Sequence, residues 1–167
     1  MSESALVDAD AYLVAQFSAA MGLSSAYTTL KAKDVVARAM RDVMQWEAWE
    51  AAGTLPIIII ESNDGRYSAG PHGGGQARTK TEFAYVVICL LQGFETTVER
   101  DAKIMMKRCI KTLMGIRTNI TATDGETIEC IPKPRASSIV IHPRVCDNGK
   151  YFAYSMVGFS LDGIAVE

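Results

Sequence analysis

The stretch from Thr81 to Gly115 constrains this chain most. TEFAYVVICLLQGF is an apolar run of strand length, and it passes through Gly93 into TTVERDAKIMMKRCIKTLMG. Its Val, Ile and aromatic residues suit the pleated surface of a strand. The second part carries the marks of a helix. Val98, Ala102, Met105, Met106, Cys109 and Leu113 recur at three- or four-residue spacing and so share one face. Thr96, with Glu99 three residues on, fits a capping box, in which hydroxyl and carboxylate satisfy free backbone N–H groups. Glu95, Glu99 and Asp101 gather at the start, and Lys107, Arg108 and Lys111 towards the end, which complements a helix dipole. Gly115 stands where a terminating glycine belongs. A strand turning tightly into a helix that lies back on the sheet is expected.

The segment before this unit reads as two helices and a strand. Over residues 5–21, Leu6, Ala9, Leu13, Phe17 and Ala20 make an apolar stripe, and Gly22 would end it. Asp34 offers an N-cap for a second helix, VVARAMRDVMQWEAWEAA, with Val36, Met40, Val43 and Ala48 on one face. Trp46 and Trp49 lie three apart and share one side of it. Two readings stand for that pair: packing within the fold, or an anchor for a partner subunit, since Trp is enriched at interfaces. Leu55-Pro56 then leads into Ile57 to Ile60, which read as a fully buried strand because β-branched residues disfavour helix.

Residues 62–80, SNDGRYSAGPHGGGQARTK, hold five glycines with Arg66, His72, Arg78 and Lys80. The segment reads as a long Gly-rich loop between two strands, either an extended hairpin or a mobile arm. It is no phosphate cradle. With Gly74 as the first glycine of a P-loop, Thr79 falls where the second glycine is required, and the loop leads into a strand instead of a helix.

After the central helix, Asp124-Gly125 marks a turn and Thr127 to Ile131 a short strand that Pro132 and Pro134 should break. SSIVIHPRV and KYFAYSMVGFSL flank Asp147-Asn148-Gly149 as a hairpin. Apolar residues on both faces of the last strand predict that both are covered. The tail DGIAVE is expected to fray or to dock on a partner. The fold class is α+β: a mostly antiparallel sheet with helices packed on one side. Residues 1–167 form a single domain, with 1–30 as an N-terminal helix and connection.

Chemistry is hard to find in these residues. The net charge of −2 offers no broad basic footprint for nucleic acid. Cys89, Cys109, Cys130 and Cys146 form no C-x-x-C pair, and they read as small core hydrophobes in a reducing compartment. Neither His72 nor His142 lies at ligand spacing from a cysteine pair, so no metal and no cofactor is expected. His72 sits among glycines that would hold it at no fixed geometry, which catalysis needs. No secretory signal and no run of about 20 apolar residues is present, so a protein made in a cytoplasm, without a membrane span, is expected.

The helix running into LPIIII, the loop, FAYVVICLLQGF, VERDAKIMMKRCIKTLM and the closing strand YFAYSMVGFSLDG together resemble the tail terminator (tail completion) proteins of tailed bacteriophages. The resemblance covers about residues 31–163 and is one of pattern and size, since the family has no diagnostic motif. The Gly-rich loop and the first helix depart from it. It implies a structural virion protein, not an enzyme: a hexameric ring that caps the tail tube, stops its polymerisation and meets the head connector. Implied partners are other copies of the chain, the tail tube protein, head–tail connector or neck proteins and a sheath. DNA would pass the channel without sequence-specific binding. The candidate subunit or channel contacts are Arg66, His72, Arg78, Lys80, Trp46 and Trp49. A head-closure protein of the neck is the alternative within the structural class, and a small cytoplasmic enzyme with the Gly-rich segment as its lid is the alternative outside it.

Overall fold

Four consecutive isoleucines set the centre of the fold. The structure, a computed structural model, describes residues 3–37, 55–70, 78–116, 120–121, 127–145 and 149–166. The elements are α1 (Glu3–Met21), β1 (Asp34–Ala37), β2 (Ile57–Gly70) and β3 (Arg78–Gly93), then α2 (Val98–Gly115), β4 (Ile120–Thr121), β5 (Thr127–Val145) and β6 (Tyr151–Val166). The strands form one six-stranded sheet in the order β1-β2-β3-β6-β5-β4. β1 and β2 are parallel and every other neighbouring pair is antiparallel. The architecture is α+β, as the sequence predicts.

Alternation along the strands divides the core between two faces. Ile58 and Ile60 of β2, with Val87, Cys89 and Leu91 of β3, join a cluster that contains Leu13 and Phe17 of α1 and Met105, Cys109 and Leu113 of α2. Ile57, Ile59, Ile88, Leu90 and Phe152 form a second cluster on the other face. Both described helices therefore pack on one side, and the sheet is buried on both. That is why Ile57 to Ile60 form an unbroken apolar run in place of the alternation seen in a sheet with one wet face.

α1 buries Ala9, Leu13 and Phe17 of the predicted stripe together with Met21, while Ala20 is half-buried. Its end is sterically fixed at Gly22: a Cβ there would lie 2.4 Å from the Ser18 carbonyl oxygen, which already accepts the Gly22 N–H at 2.9 Å. On α2, Val98, Ala102, Met105, Cys109 and Leu113 are buried as the spacing requires.

Several local expectations are corrected. Asp34 does not cap a helix. Asp34–Ala37 is a strand in register with Ile57–Ile60, and Asp34 Oδ1 accepts the N–H of Val35 at 2.9 Å. Val35 and Val36 are β-branched, and pairing with the isoleucine strand overrides the cap signal. The rest of that predicted helix, with Trp46 and Trp49, lies outside the described residues. The capping box does not form either. Thr97 is the N-cap, without a side-chain cap bond, and Glu99 turns instead to Lys103 at 2.6 Å. Gly115 is the last helical residue, and the extended Ile116 follows it, so no left-handed glycine is used.

Of the predicted loop of 62–80, residues 71–77 lie outside the described residues, and much of the rest is strand. Asn63 to Gly70 and Arg78 to Lys80 belong to β2 and β3, with Gly70 opposite Arg78. Of the two readings, this is the extended hairpin. Pro132 and Pro134 do not end their strand. β5 runs through them with register shifts between Glu129 and Lys133 and between Pro134 and Ser137. Proline is tolerated at such irregularities, where a missing donor does no harm. The tail Asp162–Val166 pairs with β3 as the end of β6, because a paired strand satisfies its backbone groups. The hairpin into β6 is present, and Gly149 takes φ +75°, which glycine adopts at little cost.

Candidate interaction surface

Between α1 and β1 the chain forms a closed loop, Gly22 to Lys33. A parallel bridge joins Gly22 to Ala32, and the Ala32 N–H donates to the Met21 carbonyl at 2.8 Å. Two cations hold its carbonyls. Lys31 Nζ donates to Leu23 O and Ser25 O, both at 3.0 Å. Arg108 Nη1, from α2, donates to Thr29 O at 2.8 Å and Leu30 O at 3.2 Å. The Arg108 guanidinium also stacks 3.8 Å over the Tyr27 ring. Leu30 takes φ 53°, a conformation L side chains rarely adopt. The clamp from Arg108 holds that strained residue in place.

This clamp leaves an open groove of about 530 Å³ along the outer side of α2. Its floor is apolar: Ile104, Ile110 and Met114, closed at one side by Tyr27. Lys107, Arg108 and Lys111 rim it. Met114 is 58% exposed, unusual for so large an apolar side chain. Among the described residues neither Lys107 nor Lys111 has a carboxylate partner. An apolar floor with a cationic rim suits an apolar segment that carries acids.

A second surface lies on the distal half of the sheet. β1 pairs only with Ile57–Ile60, so from Glu61 to Gly70 the outer edge of β2 has no neighbouring strand among the described residues. Unpaired strand edges are templates for another chain. The register sets Arg66 opposite Glu82, Glu82 opposite Asp162, and Asp162 opposite Glu129. Three acids and one base thus make a row across four strands. Like charges directly opposite each other destabilise a sheet.

The sequence-predicted contact residues divide accordingly. Arg66 joins the acid row. Arg78, opposite Gly70 and Val166, and Lys80, opposite Ser68 and Ile164, lie on the same distal ladder. His72, Trp46 and Trp49 lie outside the described residues. Sequence reasoning missed the groove. Ile104, Ile110 and Met114 lie off the main stripe of α2, and that offset was the available signal.

One titratable group is set by the core. Burial raises the carboxyl of Asp10 above its ordinary 3.8, and the nearby Tyr85 hydroxyl partly offsets this. Among the described residues no cluster of His, Cys, Asp and Glu could hold a metal ion, and no helix is long and apolar enough to cross a membrane. In comparison with known proteins, the chain matches no family model and no curated sequence.

Proposed function

We propose that this chain is a structural virion protein that forms a hexameric ring, caps a bacteriophage tail tube, ends its polymerisation and joins it to the head connector. The reading starts from the resemblance in element order and is supported by one structural observation. The chain carries two unlike features: a groove rimmed by cations, and a distal ladder whose strand register sets Glu82, Asp162 and Glu129 in one row. A ring built by rotation needs such a pair, because each interface joins different patches of two copies. The groove of Lys107, Arg108 and Lys111 is one patch. The distal ladder with Glu82, Asp162 and Glu129 is the other. Copy after copy, the acid row of one subunit meets the basic rim of the next.

In this reading the protein is made in the host cytoplasm and works in the virion, at the junction of tail and neck. Its partners are the tail tube protein and the connector, and no residue has a catalytic role. The test is to add the purified protein to polymerising tail tube protein. Tubes should stop growing and carry a ring at one end in negative stain. Unchanged tube lengths with no bound ring would overturn the reading, and binding to filled heads in place of tubes would replace the terminator with a head-closure protein.

A further inference from the structure

Cys89 of β3 and Cys109 of α2 bring their sulfurs to 3.1 Å inside the core, and both side chains are fully buried. Met21 of α1 adds a third sulfur, 3.7 Å from Cys109 Sγ. Thiols in a core usually act as small hydrophobes, and four dispersed cysteines suggest no more than that. The fold changes the reading, because it brings two of them together from different elements. A disulfide bond is about 2.05 Å long, so the two sulfurs stand roughly 1 Å from bonding distance. A shared metal ion suits them less. Sulfurs bound to one tetrahedral zinc at about 2.3 Å would lie roughly 3.8 Å apart.

We propose that Cys89 and Cys109 form an oxidation site, a dithiol that a small-molecule disulfide converts to an intrachain disulfide tying α2 to the centre of the sheet. With oxidised glutathione, one cysteine thiolate attacks a glutathione sulfur and releases the first glutathione thiol. The other cysteine thiolate then attacks the mixed disulfide, closes the Cys89–Cys109 bond and releases the second. Two electrons pass from the protein thiols to glutathione, and the two thiol protons end on the released glutathione.

The closed core restrains this chemistry. The hydrogen bond with Cys89, and then burial, push the Cys109 thiol well above its ordinary value. The thiolate is the nucleophile, so the packed pair is unreactive. Oxidation therefore goes through moments when α2 lifts from β3, and its rate follows that opening. The site holds whether or not the chain forms a ring.

The test uses the full chain, incubated with oxidised glutathione at about pH 8, where free thiols ionise. Trypsin digestion without reduction should give residues 81–100 linked to 109–111, with an intact mass lower by two hydrogens. Urea below the unfolding midpoint should speed the reaction, and reductant should reverse it. The oxidised protein should melt at a higher temperature than the reduced form. Cys89 and Cys109 both remaining free under these conditions, carrying glutathione singly, or linking instead to Cys130 or Cys146 would overturn the proposal.

Discussion

The two sides of α2 differ in what they demand of the sequence. The inner side is five buried residues, Val98, Ala102, Met105, Cys109 and Leu113, at regular helical spacing against the sheet. The outer side mixes Ile104, Ile110 and Met114 with Lys107, Arg108 and Lys111 around a groove. The inner side fixes where the helix lies, and chemistry there is limited to volume and fit. On the outer side Ile110 still packs against the core, whereas Lys107, Lys111 and Met114 are exposed. If this division holds, inner substitutions should lower stability, and outer ones should change assembly.

The largest expected effect is on the inner side. Leu113→Ala removes a side chain with no exposure and should cost about 2–5 kcal/mol in urea unfolding, through lost burial and the cavity left behind. A cost below about 1 kcal/mol would mean that α2 packs less closely than described.

Arg108 stands between the two sides. Arg108→Ala removes two hydrogen bonds to loop carbonyls and the contact with Tyr27. About 1–2 kcal/mol of stability should be lost, since bonds to a charged donor are stronger than neutral ones but this one is partly exposed. Amide exchange at Leu30 to Ala32 should accelerate more than in the sheet. Equal acceleration everywhere would show that Arg108 does not hold this loop specifically.

Asp10 should give a smaller effect, with a defined pH dependence. Its folded pKa is raised, so the folded state holds the proton more tightly than the unfolded state. The stability from the neutral carboxyl is full below about pH 3.9, and it is lost as pH rises through the raised value. Asp10→Asn removes the ionisable group and should flatten this dependence, raising the melting temperature slightly at neutral pH. A variant whose melting curve keeps the wild-type pH dependence over that range would remove Asp10 from the account.

How much of this was legible in the sequence follows from the same contrast. The stripes of α1 and α2 and the buried isoleucine strand were readable, because periodicity and burial are one signal there. Asp34 was misread as a cap because its own neighbours, Val35 and Val36, pair with a strand about twenty residues further on. Such pairing leaves no local trace. Pro132 and Pro134 were read as breaks because a chain does not announce where register shifts will accommodate them. Of the groove only the offset of Ile104, Ile110 and Met114 was legible. The groove needs Tyr27 from one loop and Arg108 from a distant helix, and only the fold brings these together. The acid row needs four strands in register, which no local pattern encodes.

The smallest effect on stability should come from Lys107→Glu with Lys111→Glu. Both residues are exposed, and surface changes of this kind are usually within about 0.5 kcal/mol. Their effect should fall on assembly, and the compensating change Glu82→Lys with Asp162→Lys should restore it in part. A double variant that assembles like the wild type would detach the groove from the interface.

The central claim is tested most directly by the mass of the purified protein in solution, measured by light scattering over a range of concentrations. Six copies of the 18.1 kDa chain should give about 109 kDa, as a closed ring built from one repeated interface. The Lys107→Glu, Lys111→Glu protein should fall to the mass of a single chain while remaining folded. A wild-type mass that stays at one or two chains at every concentration would contradict the account.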